Sequence, residues 1–301
     1  MSMTMLQIIQ QAVGEMASGA VPTSAAGNQN QDTVQQYYLL NGLGAALMRQ
    51  FVWEALNKQY TTTVTYGTVT GNTTINSTAM TGVSSTSGYD TTYGISGAGL
   101  NQACYVDAIV SPTALTLSQP ATSTQTGATY TLSKVKFAMP SDYDRQIDRT
   151  HWDKSKHWEM LGPETAQQWE WLISGYISTG PRIRYRIFGS YFQIWPFTAS
   201  SETIGFEYIS NAWAASTLGV AKTSMTVDTD TCVFPDRLMV VGLKHRYFQV
   251  KGFGDVYLRE YEDQLSIAFG NDQGSQTLSF APRVSGLLIT QANIPDSGYG
   301  L

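Results

Sequence analysis

The sequence predicts an α+β protein in which a helical core with a small antiparallel sheet carries an inserted all-β sandwich domain. Apolar residues recur at helical steps outside the middle of the chain, and basic and apolar residues alternate after residue 181, which predicts the core. Between Thr61 and Ser133 about half of the residues are Thr, Ser or Gly, and Asp90 and Asp107 carry the only charges. We therefore divide the chain into a core (1–61 and 134–274), an insert (62–133) and a C-terminal tail (275–301).

The first 60 residues predict a helical hairpin. One helix runs from Met5 to Met16, and a second runs from Asp32, its predicted N-cap, to about Lys58. A segment containing proline and glycine links the two helices. The residues predicted to face inward are Leu6, Ile9 and Val13 in the first helix and Val34, Tyr37, Leu40, Gly44, Leu47, Met48, Phe51 and Ala55 in the second.

Short β-prone segments separated by glycine fill the insert. Threonine and valine favour a pleated backbone, and turn signals come about every ten residues, which predicts a small antiparallel sandwich. A low-complexity linker is the alternative. The alternation of Val106, Ala108 and Val110, repeated at Leu115 and Leu117, argues against it.

After the insert in the sequence, residues 139–164 contain acidic, basic and aromatic side chains without a clear period, which predicts an ordered loop. Gly162-Pro163 then predicts the start of a helix, because proline suits a first turn, and Gly180-Pro181 predicts its end. The predicted buried stripe of this helix is Trp169, Leu172, Ile173 and Tyr176.

Residues 182–210 predict a three-stranded meander. The first strand alternates arginine with apolar residues, Gly189-Ser190 suits a type II′ turn, and the two further strands are Tyr191 to Trp195 and Thr203 to Ile209. Two more helices follow, Pro235 to Lys251 and Asp255 to Phe269. Their predicted inward residues are Leu238, Val241, His245 and Phe248, and then Tyr257, Tyr261, Leu265 and Ala268.

The basic row of the first strand, Arg182, Arg184 and Arg186, has two interpretations. The arginines face DNA in a channel, or they pair with Glu202 and Glu207 on the third strand or with an adjacent subunit. Cross-strand charge pairs stabilise a sheet by roughly 0.2 to 1 kcal/mol each. A channel through which DNA slides cannot use many phosphate contacts, because each adds affinity through counterion release. Pairing is therefore the favoured interpretation.

Composition excludes several classes of protein. A net charge of -5 and a pI of about 5.2 disfavour a sequence-independent DNA binder, which needs a basic surface. No apolar run is long enough to span a bilayer, and the first residues lack the features of a secretion signal. Cys104 and Cys232 fit no metal or redox spacing and are predicted to be buried free thiols.

The sequence contains little that predicts catalysis. It has neither a G-x-S-x-G elbow nor a P-loop, so we expect no enzyme activity and no cofactor. His151, Asp153 and His157 are a weak metal candidate, since the two histidines do not share a helical face and neighbouring lysines repel a cation. Asp228 and Asp230 are predicted to organise the turn before the Pro235 helix by accepting backbone hydrogen bonds.

Two surfaces are predicted interfaces. The aromatic loop presents Tyr143, Trp152 and Trp158, and tryptophans in such a setting belong more often to a core or a subunit interface than to a sugar-binding platform. The tail shows no helical period, and its apolar character is better explained by docking on another subunit or the portal than by fraying. Its predicted contact residues are Phe280, Val284, Leu287, Leu288, Ile289, Ile294 and Tyr299.

Several segments of the predicted core, taken in chain order, carry a resemblance to a known protein family. They are LNGLGAALMRQFVWE, FAMPSDYDRQIDRTHW, GPETAQQWEWLISGYISTGPRIRYRIFGSYFQIWPF, ETIGFEYISNAW and DTDTCVFPDRLMVVGLKHRYFQVKGFGD, with EYEDQL beyond. Covering most of residues 30–60 and 135–270, this series resembles the head-to-tail adaptor, or tail tubular, proteins of short-tailed bacteriophages. The insert, with its GTVT opening, ISGAG turn and TALTLSQPAT closing, resembles the Ig-like β-sandwich modules spliced into many phage virion proteins.

The resemblance implies a structural protein of the virion neck, assembled in the host cytoplasm. Identical subunits would form a ring, usually dodecameric, below the portal protein and extend the DNA channel to the tail nozzle. The implied partners are further copies of the chain, the portal, a tail nozzle or tail fibre protein and the genomic double-stranded DNA in transit, with no membrane. The alternative is a receptor- or glycan-binding virion module that uses the sandwich insert as its binder.

Overall fold

Helices and strands alternate in blocks along the chain. The structure is a computed structural model that describes residues 2–17, 19–174 and 182–273 of the 301. Its helices are α1 (Met5–Met16), α2 (Gln31–Gln50), α3 (Ala166–Ile173), α4 (Asp236–Val250) and α5 (Leu258–Gln273), with a 3-10 turn at Glu54–Leu56. Its strands are β1 (Asn57–Thr63), β2 (Tyr66–Thr73), β3 (Ala79–Thr81), β4 (Tyr93–Gly97), β5 (Cys104–Ser111), β6 (Ala114–Leu117), β7 (Gln125–Lys134), β8 (Lys136–Ala138), β9 (Tyr143–Gln146), β10 (Trp152–Asp153), β11 (Trp158–Glu159), β12 (Arg184–Phe188), β13 (Tyr191–Trp195), β14 (Thr203–Ser210), β15 (Ala214–Ala215), β16 (Ala221–Lys222) and β17 (Thr231–Cys232).

The predicted fold class was wrong. Strands account for 32% of the residues and helices for 28%, so the chain is not a helical core with one small sheet. Outside the insert, β1, β14, β10 and β11 form a sheet in that order, and β9 also pairs with β14; we call this the central sheet. Two further three-stranded sheets have the orders β12-β13-β8 and β16-β15-β17. Most of these strands are short and pair with distant segments, which sequence periodicity does not reveal.

The insert is also not a sandwich. Strands β2 to β7 form one closed barrel in the order β2-β3-β6-β5-β4-β7. Its interior is filled by apolar side chains that include Met80, Ile95, Leu115, Tyr130 and Leu132. A sheet closed on itself and two packed sheets share the same alternation of inward and outward residues, and this is why the sequence did not distinguish them.

The barrel is seated on the core through an apolar joint. Ala103 of the barrel is buried together with Trp169 of α3 and Trp195 of β13. Gly94 of β4 lies so close to Phe197 that a Cβ at that position would come within 2.4 Å of the ring. The joint fixes the barrel against α3 and β13.

The first helix has the predicted bounds, and the second ends early. Thr4 caps α1 in a capping box with Gln7. At α2 the N-cap is Asn30 rather than Asp32, since the Asn30 side chain accepts from the amides of residues 32 and 33. The helix ends at Gln50 instead of Lys58, and the Trp53 indole donates to the Leu47 carbonyl at 2.7 Å, which satisfies one of the free carbonyls at the helix end.

The third helix begins at Ala166 rather than at Pro163. Thr165 and Gln168 form its capping box, and the Gly162-Pro163 peptide, which is cis, lies in the preceding loop. Trp169 and Leu172 are buried as predicted. Tyr176 and the predicted end at Gly180-Pro181 lie outside the described residues.

The predicted meander was wrong in its third strand. β12 and β13 do form a hairpin, and Gly189 in its turn has φ +59°, the sign that a type II′ turn requires. However, β8 is the third strand of this sheet, whereas β14 pairs with β1 over seven residues of the central sheet. One face of β14, which carries Ile204, Phe206 and Tyr208, is fully buried, whereas Glu207 on the other face is exposed.

The helical unit packs around α4. Because α1, α2 and α5 all contact α4, it is buried on several sides, and Met239, Val240 and Leu243 are fully buried. The predicted stripe was therefore too narrow, and two of its members, His245 and Phe248, are only half-buried. No helix in the described ranges combines the length and apolar character needed to cross a bilayer.

A cluster of charges joins α1, α4 and α5. The buried Lys244 ammonium donates to Glu15 at 2.7 Å and lies 3.4 Å from Glu260, and Arg237 contacts both carboxylates. Burial opposes ionisation of Glu15, but hydrogen bonds from Lys244, Gln11 and Arg237 outweigh it and lower the pKa of this carboxyl to about 2. The cluster holds the three helices together by compensated charge.

Candidate interaction surfaces

The basic row does not pair as predicted. The Arg184 guanidinium bonds Glu164 at 2.7 Å, and the Arg186 guanidinium lies 5.0 Å from the centre of the Phe188 ring. Arg182 is exposed. Glu202 instead binds Lys156, and Glu207 lies on β14 in a different sheet from the arginines. The expected pairs were wrong because β14, which carries Glu207 and directly follows Glu202, is not a neighbour of β12.

The predicted aromatic loop contains three strands of the central sheet. Tyr143 on β9 packs on Tyr208 with ring centres 5.8 Å apart. Trp152 and Trp158 lie on the two strands of the β10–β11 hairpin and are 37% and 38% exposed. The turn of this hairpin is organised by Asp153, whose Oδ1 accepts from the amides of Ser155 and Lys156. The structure therefore places both tryptophans on one hairpin at the edge of the central sheet.

The residues of the weak metal candidate are separated. The side chain of His151 is buried in the core and stacks on Tyr185 at 4.0 Å and on Phe206 at 4.8 Å, whereas His157 is exposed near the hairpin turn. Burial lowers the pKa of His151 to about 4 against the opposing effect of Asp148, so the ring is neutral. Within the described ranges, no three residues of metal-binding type are grouped closely enough to hold an ion.

The acidic pair before α4 is structural. Asp230 Oδ2 accepts from the amides of Thr226 and Val227 and the carboxylate also binds Lys222, which confirms its predicted role in the turn. Asp228 acts at longer range and accepts from the amides of Ala25 and Ala26 in the linker between α1 and α2. The two aspartates thus hold the linker and the turn in place.

The cysteines have the predicted environment. Cys104 and Cys232 are both free and buried. Burial raises the pKa of each thiol, to about 12 at Cys232, so neither sulfur is activated as a nucleophile.

The turn between α4 and α5 presents apolar side chains to solvent. Val250, Phe253 and Val256 are 59%, 62% and 58% exposed. We call these three residues the helical-turn patch. They are close in sequence, and backbone bonds from Phe253 to Phe248 and from Val256 to Phe253 keep the turn compact. Sequence analysis missed this patch, since Val250 and Val256 lie at the ends of two predicted helices and outside their predicted buried stripes, and Phe253 lies between the helices.

The outer face of the central sheet contains an open cleft of about 560 Å³. Cross-strand register aligns Thr61, Gly205 and Trp152 in one row and Gln59 with Glu207 in the next, and paired residues point to the same face. The side chains of Gln59 and Glu207 are exposed. Gly205 has no side chain, and its place in the row beside Trp152 is taken by the side chain of Lys154.

Cationic side chains complete the cleft. The stem of Lys154 lies over Gly205, and its ammonium donates to Thr61 at 3.0 Å. Arg149 and His157 have φ of +64° and +57°, two of the four positive values at non-glycine residues in the described ranges. Such backbone conformations cost roughly 1 kcal/mol or more and concentrate at ligand-binding sites. The signal for this site in the sequence is Gly205, a glycine inside a strand, which indicates close approach of another group.

Comparison with known proteins did not place the chain in a family. No protein-family model matches the chain, and no curated protein matches it significantly.

Proposed function

We propose that the chain is a structural virion protein, a head-to-tail adaptor whose identical copies form a ring that joins the portal to the tail nozzle and extends the DNA channel. The ordered core segments that resemble short-tailed phage adaptors support this function. The acidic net charge suits a channel that does not retain DNA. The proposed location is the virion neck.

The observation that carries the proposal is the helical-turn patch. Three large apolar side chains exposed within seven residues, on a turn between two packed helices, form a surface that water solvates poorly. A neighbouring copy would cover it, which matches side-by-side packing of helices in a ring. The predicted docking residues of the tail, Phe280 to Tyr299, lie outside the described residues, and docking of the tail on the portal or a neighbour stays a prediction.

The barrel is proposed to project from the ring and meet a fibre, nozzle or decoration partner. The apolar joint at Gly94, Trp169 and Trp195 supports a fixed rather than tethered barrel. A fixed barrel presents its outer loops in one direction, which suits contact with a partner of defined position.

The oligomeric state tests this proposal. We expect the full chain to form a ring by light scattering, and the double variant Phe253→Ser and Val256→Ser to form smaller species. Removing two apolar side chains that the contact between copies would bury weakens each contact by about 3 kcal/mol, roughly a hundredfold in affinity. Leu218→Ser, at an exposed apolar residue elsewhere, is the control and should leave the mass unchanged. An unmodified chain that stays monomeric, alone and with portal, would contradict the proposal.

A further inference from the structure

The cleft beside Trp152 has no role in the proposed connector. It lies on the outer face of the central sheet, whereas Phe206 and Tyr208 of the same strand point to the core on the inner face. Its volume is within the roughly 300 to 1,000 Å³ of small-molecule sites. We propose that this cleft binds a saccharide, with Trp152 as the stacking platform.

The first argument is the indole. Trp152 is 37% exposed, and Gly205, directly opposite it across the strand pair, has no side chain of its own, so the flexible side chain of Lys154 lies over that position. An indole face at the edge of a cleft accepts a flat, weakly polar partner. The C–H face of a pyranose ring is such a partner.

The second argument is the set of unused hydrogen-bonding groups. Within the described residues, Gln59, His157 and Glu207 have no side-chain hydrogen bond, although all three line the cleft. Arg149 uses only its Nε, 3.4 Å from Glu159, so both of its terminal nitrogens are free to donate. An amide, a carboxylate and a guanidinium are planar groups that bind neighbouring hydroxyls in pairs. Gln59 and Glu207 occupy the row of the sheet next to the row that holds Trp152.

The third argument is charge. Arg149 and Lys154 face Glu207 and Asp153 around the cleft, so its cationic and acidic side chains balance. A strand of nucleic acid could also stack on the indole, but it needs a surplus of positive charge along its path. A neutral polyhydroxylated ligand meets no such requirement, and this favours a saccharide over a polynucleotide.

The inference assigns Trp152 to a ligand rather than to a subunit contact. It also places saccharide binding on the central sheet and not on the barrel. Trp158 provides a matched control, since it lies on the same hairpin with nearly the same exposure but does not line the cleft.

The experiment is a titration of the full chain with maltotriose, chitotriose, mannotriose and lactose, followed by calorimetry and saturation-transfer NMR. We expect at least one of these sugars to bind. Trp152→Ala should weaken binding by about tenfold or more, while Trp158→Ala changes it by less than about twofold. Glu207→Gln and Gln59→Ala alter exposed side chains and should each weaken binding about threefold or more without affecting the fold.

Four binding results would overturn the inference, as would one result from light scattering. They are no binding of any of the four sugars at about 10 mM, equal losses in Trp152→Ala and Trp158→Ala, and unchanged binding in Glu207→Gln and Gln59→Ala. The fourth is a short oligothymidylate binding through Trp152 more tightly than any sugar, which would identify a nucleic-acid site instead. Light scattering of Trp152→Ala should give the mass of the unmodified chain, and a smaller mass would assign Trp152 to a subunit contact.

Discussion

Replacing Gly44 by alanine is expected to destabilise the protein by about 3 kcal/mol, although alanine is the better helix former. Gly44 lies inside α2, and a Cβ at this position would come within 2.4 to 2.5 Å of three ring atoms of Trp213. Trp213 is 1% exposed and is packed in the same core as Leu43 and Phe234, so the ring has no free space to occupy. The substitution must therefore separate α2 from the segment that carries Trp213.

Gly14→Ala is the matched control for this prediction. Gly14 lies inside α1, and nothing is within 4 Å of the position of its missing Cβ. This change should stabilise the protein by roughly 0.5 to 1 kcal/mol, since only the helix propensity differs. Urea unfolding of both variants at one protein concentration measures the effect, and a stability of Gly44→Ala equal to that of the unmodified chain would show that Trp213 is not packed against α2.

Acidification from pH 7 to pH 5 is expected to remove about 2 kcal/mol of stability through His151 alone. Burial lowers its pKa to about 4 in the folded chain, whereas the unfolded residue titrates near 6.5. Between these values the unfolded state binds a proton that the folded state does not. The contribution is therefore complete above about pH 6.5 and is lost as the pH falls toward 4.

The variant His151→Phe separates the effect of His151 titration on stability from the effect of carboxylate titration. Phenylalanine can stack between Tyr185 and Phe206 but does not titrate, so the stability difference between pH 7 and pH 5 should largely disappear. The Tyr185 hydroxyl loses its 3.0 Å contact with Nδ1, which lowers stability equally at both pH values. Glu15, with its pKa of about 2, acts only below this range. The variant His157→Asn, which alters the exposed histidine, should keep the pH dependence of stability. If this variant lost the pH dependence, the effect would come from His157 and not from His151.

Local sequence signals predicted the elements that local interactions build. The first helix has its predicted bounds because Thr4 and Gln7 cap it within four residues. The β12–β13 hairpin has its predicted strands because Gly189 supplies the positive φ of its turn. The role of Asp230 was predictable for the same reason, since both of its amide donors lie within four residues.

Elements that depend on distant partners were not predictable in this way. β1 was not predicted as a strand of the core, and its first two residues were assigned to the end of a helix, because its partner, β14, begins about 140 residues later in the chain. The central sheet and the cleft were missed together for this reason, as Gln59, Trp152 and Glu207 come from three strands that only the fold aligns. Closure of the insert into a barrel likewise depends on pairing between its first and last strands, β2 and β7.

The proposal of a connector is tested most directly by electron microscopy of the purified chain mixed with a portal protein encoded by the same genome. Closed rings stacked on the portal axis, with the barrels at their periphery, are the expected result. Isolated monomers that leave the portal bare would contradict the connector function.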